Sequence, residues 1–158
     1  MATNNAVNQQ QPVPSWFVYQ NATLSNKGGA GGNYNIPFDS VKYLNGGVTY
    51  AAPFVTVPIA GYYYITSGIL LDGVAAAHAV WNFNVTSTSL NNRYYGWKPG
   101  TVKVGSQVSG STSQITHVTT GASNFCMVMM VNGGTATIDI LGGANPYLTW
   151  FSGVLLHT

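Results

Sequence analysis

The sequence predicts an all-β domain, a sandwich or jelly roll of about eight to ten strands. Three observations carry that expectation. The 158 residues contain no glutamate, alanine and leucine are the only abundant strong helix formers, and Gly, Thr, Val, Tyr and Asn dominate instead. Runs of β-branched and aromatic residues of strand length are separated by Gly, Pro and Asn turns. No run shows the apolar period of an amphipathic helix. A chain of this length forms one domain and buries roughly 70% of its unfolded surface.

Residues 1–14 are rich in Asn and Gln and end in Pro12-Val13-Pro14, which favours extended backbone. They read as a polar arm with an anchoring role, its candidate contacts being Asn4, Asn5, Gln9, Gln10 and Pro12. Residues 15–158 form the domain. Ser15–Gln20 (SWFVYQ) is its first strand, and the glycines of SNKGGAGG then forbid regular structure. Ile36–Leu44 holds a short extended segment closed by Asn45-Gly46-Gly47. Pro53–Leu71, PFVTVPIAGYYYITSGILL, reads as a hairpin-like pair. Its corner is Pro58-Ile59-Ala60-Gly61, where proline withholds a ladder donor and glycine permits the bend. Ala77–Thr86 alternates, with Ala79, Trp81, Phe83 and Val85 on one face and His78, Asn82 and Asn84 on the other. A loop over Asn91–Gly100 leads to weaker strands at Thr101–Val108 and Gln114–Thr119. Phe125–Val131 is strong, Thr135–Leu141 alternates again, and Tyr147–Leu156 closes the chain.

Composition excludes several functions. A net charge of +2 from five scattered basic residues is no footprint for a nucleic acid. Only 5% of residues are charged, which suits a protein packed against neighbours better than a free monomer. Cys126 is the only cysteine, so no intrachain disulfide forms, and within NFCMVMMV it reads as a small buried hydrophobe. The first residues show neither the basic nor the apolar region of a secretory signal, and no apolar run reaches the roughly 20 residues of a membrane-spanning helix. The sequons at Asn21 and Asn84 are then incidental.

Sorting the strands by face is more informative. Those at 54–57, 79–85 and 135–141 alternate apolar with polar, as in a sheet with one wet side. Four others, at 15–20, 61–71, 125–131 and 147–156, carry bulky apolar groups on both faces. If they share a sheet, its inner face fills the core and its outer face needs a partner, which predicts a homo-oligomer. Tyr63, Ile65 and Ile69 belong to the core face of the second, and Tyr62 and Tyr64 to the face that meets sister subunits.

No arrangement for catalysis or metal binding emerges, and no cofactor is expected. His78, His117 and His157 fall at no ligand spacing, and no G-x-S-x-G elbow is present. Acidic loops that could hold calcium are missing. Gly28–Gly32 lacks the Lys-Ser or Lys-Thr of a phosphate loop. One surface feature stands out: Tyr94, Tyr95 and Trp97 beside Arg93 and Lys98, aromatics that can bind a sugar ring or a protein partner.

The stretches IPFDSVKYLN, FVTVPIAGYYYI and LTWFSGVLL, in that order, resemble the globular head of complement component one-q and its tumour-necrosis-factor relatives. FCMVMMVNGGTATIDI looks like that family's paired penultimate strands. The resemblance implies a ten-stranded jelly roll that assembles as a homotrimer, its first, third, sixth and last strands sharing the sheet that faces the three-fold axis. On this basis Tyr62, Tyr64, Val128, Met130 and Phe151 (or its neighbour Trp150) are candidates for the trimer interface. The expected role is structural: a trimeric capsid decoration, cement or minor capsid protein of a phage or large DNA virus. It would be made in the host cytoplasm, anchored by its arm to the major capsid protein or other virion proteins, and involve neither nucleic acid nor membrane. Two alternatives are the receptor- or host-glycan-binding head of a viral fibre and a secreted trimeric ligand.

Overall fold

The computed structural model describes residues 11–75, 78, 80–87, 93–96, 107–135 and 137–158. These form strands and turns only. In chain order the strands are β1 (Ser15–Tyr19), β2 (Leu24–Gly28), β3 (Asn33–Asn35), β4 (Ser40–Asn45), β5 (Thr49–Ala51), β6 (Phe54–Val57) and β7 (Gly61–Asp72). They continue as β8 (Val80–Ser87), β9 (Arg93–Gly96), β10 (Val108–Val118), β11 (Ser123–Asn132), β12 (Ile138–Ile140) and β13 (Trp150–His157). Every pairing among them is antiparallel. The first sheet has seven strands in the order β2-β12-β7-β13-β1-β4, with β10 laid along β7. The second has six in the order β5-β6-β11-β8-β9, with β3 also on β11.

Period-two alternation sends one row of each strand into the space between the sheets. Trp16 and Val18 of β1, Tyr63, Ile65, Ile69 and Leu71 of β7, Phe125, Met127, Met129 and Val131 of β11, and Phe151 of β13 form the buried core. Trp16 sits at its centre, stacked on Phe125 of the opposite sheet at 6.1 Å and edge-on to Phe151 at 5.6 Å. The indole reaches that position because residue 153 is glycine: a Cβ there would overlap the Trp16 ring. A second knot of bonds fixes the turns around Asp39. Its carboxylate accepts the backbone N–H of Asn21 (2.7 Å) and Ala22 (2.8 Å) and the side-chain amide of Gln20 (3.0 Å), while the Tyr50 hydroxyl donates to the Phe38 carbonyl at 2.7 Å.

Several expectations are corrected. The corner at Pro58–Gly61 is no hairpin, since β6 belongs to the second sheet and β7 to the first, so the chain crosses between layers there. Gly61 turns that corner at φ 150°, where a Cβ would collide with the His157 carbonyl. The strand at 125–131 does not share a sheet with the other three two-faced strands. It is β11, at the centre of the second sheet, flanked by β8 on one edge and by β6 and β3 on the other. Outward-facing Cys126 and Val128 are only 4% and 5% exposed in the single chain, so the second apolar face of β11 is already covered within the protomer.

Of the alternating segment 135–141, Ile138–Ile140 form β12, which lies in the first sheet between β2 and β7, and Ala136 lies outside the described residues. SNKGGAGG is not wholly irregular, because its first residues complete β2. The weak strand expected at Gln114–Thr119 is the end of one long strand, β10, registered against β7 from Val108–Leu71 to Val118–Gly61, and residues 101–106 of the one expected at Thr101–Val108 lie outside the described residues. The Asn91–Gly100 loop contains a strand, β9. His78 does not face outward: it is buried, and its Nδ1 accepts the Ala75 N–H at 2.8 Å.

Candidate assembly interface

With the core row of the first sheet accounted for, its other row faces away from the second sheet. Register places the members of that row side by side. Tyr64 of β7 lies between Val154 of β13 and Ile115 of β10, and Tyr62 lies between His157 and His117. Phe17 of β1 pairs with Ser152 of β13 and Tyr43 of β4. The result is a continuous face crossing β10, β7, β13, β1 and β4. Tyr62 and Tyr64 keep 41% and 40% of their surface exposed and Ile115 62%, for a strand position an unusual amount of uncovered apolar area.

The rings are organised in two groups. Near β4, Phe17 stacks on Trp150 (5.8 Å, 11° between planes) and meets Tyr147 at 4.9 Å, with Tyr19 edge-on to Tyr147 at 4.8 Å. The Lys42 ammonium stands 4.8 Å above the Tyr147 ring and 5.4 Å from that of Phe17, a cation–π arrangement that lets one charge remain on an aromatic surface. At the other end Tyr62 stacks against His117 at 4.4 Å and lies 5.4 Å from His157.

Of the residues expected at an interface, the structure therefore brings Tyr62 and Tyr64 together on one open face. Val128 and Met130 belong to β11 of the other sheet and stand apart from it. Phe151 points into the core, fully buried against Trp16 and Phe38, and its neighbour Trp150 takes the outward position. Ile115, His117 and Val154 are the members that sequence reading missed. In β10 the alternation is written mostly in Ser, Thr and Gly, and only Ile115 signals an apolar row.

The remaining candidates are dispersed. Arg93, Tyr94 and Tyr95 lie on β9, the edge of the second sheet, and Trp97 lies outside the described residues. So do Asn4, Asn5, Gln9 and Gln10. Pro12 is exposed but rests against Gly46, and the Pro14 carbonyl accepts the Leu155 N–H at 2.9 Å, so residues 12–14 belong to the end of the sandwich. Among the described residues no three His, Cys, Asp or Glu side chains gather as metal ligands would. Cys126 is buried, which pushes its thiol up in pKa despite the Thr86 hydroxyl at 3.2 Å. Such a thiol is a poor nucleophile at neutral pH.

No protein-family model and no curated protein matches the chain. Solved structures do. Murine APRIL at pH 8.0 superposes with a TM-score of 0.61 at 13% identity, covering 90% of this chain and 98% of that one. The globular domain of zebrafish complement 1qA protein gives 0.61 at 14% identity, covering 91% and 98%. At these identities the likeness is one of fold: the two sheets form a jelly roll of the tumour-necrosis-factor and complement one-q kind.

Proposed function

We propose that this jelly roll is a self-assembling, non-enzymatic head: copies of the chain associate as a homotrimer through the outer face of the first sheet and present their loops to a partner. One observation carries the reading, the open aromatic face around Tyr62, Tyr64 and Ile115 at the middle of a sheet whose other side is the core. A second copy is the occupant that fits it. The face is apolar and nearly uncharged, and in a closed three-fold ring every copy covers its neighbour's face in the same way. Covering an aromatic side chain of this kind stabilises association by about 1.5–3 kcal/mol when burial is complete. The number three follows the fold group. Replacing Tyr62 and Tyr64 with lysine should give a folded monomer; a trimer that survives both substitutions excludes this face.

The setting we favour is the surface of a particle, as a capsid decoration or cement protein. The observation behind it is the 5% charged composition, low for a head that lives free in solution. Tight, stoichiometric binding of the purified trimer to a capsid shell supports that setting, and a highly soluble trimer with no affinity for any particle removes it. A trimeric ligand of the secreted kind, or a glycan-binding head, would instead act through surface loops. Alanine at Arg93, Tyr94, Tyr95 and Trp97 tests the glycan reading, which fails if binding to a glycan array is unchanged.

A further inference from the structure

Two of the three histidines stand on the face just described, one on each side of the tyrosine at its end. His117 of β10 stacks on Tyr62 with 17° between the rings, and His157 of β13 closes in from the opposite strand at 5.4 Å. Both are exposed in the single chain. Histidine is the side chain that changes charge between about pH 5 and pH 8, so two imidazoles at a contact face need an account.

We propose that His117 and His157 make assembly pH-sensitive, copies of the chain associating while both imidazoles are neutral and separating as they take up protons. The inference rests on the self-assembly reading above and deepens it.

The groups around the two rings decide the sign. On β7 they are the phenols of Tyr62 and Tyr64. The outward row of β10 (VSGSTSQITHV) offers no acid, and neither does β13 (WFSGVLLH). The acid of β7, Asp72, lies ten residues along the strand from Tyr62, roughly 33 Å at strand rise. Beyond β13, β1 contributes Tyr19 and Phe17, and β4 the cation Lys42 over the distant aromatic group. No side-chain carboxylate of β7, β10 or β13 thus stands beside the two rings, and the terminal carboxylate of Thr158, next to His157, is present in the separate and the assembled chain alike.

Assembly makes matters worse for the charge. Covering the face removes water, which alone had solvated the proton's charge. In a three-fold ring only residues at the axis meet their own counterparts, so loss of solvation sets the sign, and like charges add to it where the histidines of neighbouring copies approach. Protons therefore bind more readily to the separate chains, and by linkage falling pH favours separation.

The test is sedimentation velocity on the full chain between about pH 8 and pH 5.5, run beside the His117→Gln/His157→Gln double variant, with far-UV circular dichroism at each pH. The wild type should need about tenfold or more protein for half-assembly at the acid end. The double variant, polar but unable to gain charge, should show the same half-assembly concentration at both ends of the range, whatever its affinity at pH 8. A wild type equally assembled at both ends overturns the proposal while leaving the self-assembly reading intact. So does a double variant with the same pH response, or a dichroism spectrum lost together with the mass, which would assign the effect to unfolding around buried His78. A wild type that is monomeric at every pH overturns both readings.

Discussion

Asp39 shows how much one exposed carboxylate can organise. Burial raises its pKa, but the backbone N–H groups of Asn21 and Ala22 and the Ser40 hydroxyl outweigh that, and its carboxyl is held below the usual range. A depressed carboxylate stabilises the fold above its unfolded pKa of about 3.9, and that contribution is lost as pH falls through the folded value. Asp39→Asn should therefore lower the melting temperature at pH 7, by the equivalent of about 1 kcal/mol given the exposure of the site, with the gap closing below about pH 3. A gap that persists in acid would mean that the ionised form is not what matters. The Tyr50 hydroxyl nearby is pushed well up, first by burial and then by the Asp39 charge, so it remains a neutral donor to Phe38. Gly153 makes the opposite kind of contribution, by what it lacks. Gly153→Ala drives a methyl into the Trp16 ring and should cost about 1–3 kcal/mol in chemical denaturation. None of these roles is visible in the sequence, because Asp39 and Gly153 act on residues brought close only by strand pairing.

At the scale of elements, alternation is legible wherever the apolar row is written in large residues. Tyr63, Ile65 and Ile69 on the core side of β7, with Tyr62 and Tyr64 opposite, follow directly from GYYYITSGILL. Two-facedness is legible too, but its cause is not. A strand whose second apolar face is open and one whose second apolar face is covered within the protomer have the same composition, so composition groups β11 with β7 although it lies in the other layer. Nor can LTWFSGVLL reveal which of Trp150 and Phe151 points inward, since both are aromatic and only the register against β1 and β7 decides. Core and interface separate by experiment. Phe151→Ala should destabilise the folded chain by about 3–5 kcal/mol through the cavity it opens beside Trp16. Tyr64→Lys should leave thermal stability of the protomer nearly unchanged while abolishing its association. If Tyr64→Lys unfolds the chain instead, the tyrosine is serving the protomer and the interface is elsewhere.

At the scale of the whole molecule, two sheets enclose one core and leave one large aromatic face uncovered. The fold is largely legible because a jelly roll is specified by many short, well-punctuated strands. The face is only partly legible, because β10 contributes to it through a strand of serines and threonines. The molecule's behaviour in solution follows from whether that face is covered. The most direct measurement is the mass of the purified chain at micromolar concentration and neutral pH, by light scattering or sedimentation equilibrium. Three copies of 16.7 kDa, about 50 kDa in all, are expected, with the mass falling to that of one chain in the Tyr62→Lys/Tyr64→Lys variant. A wild-type mass of 16.7 kDa under the same conditions would contradict the account.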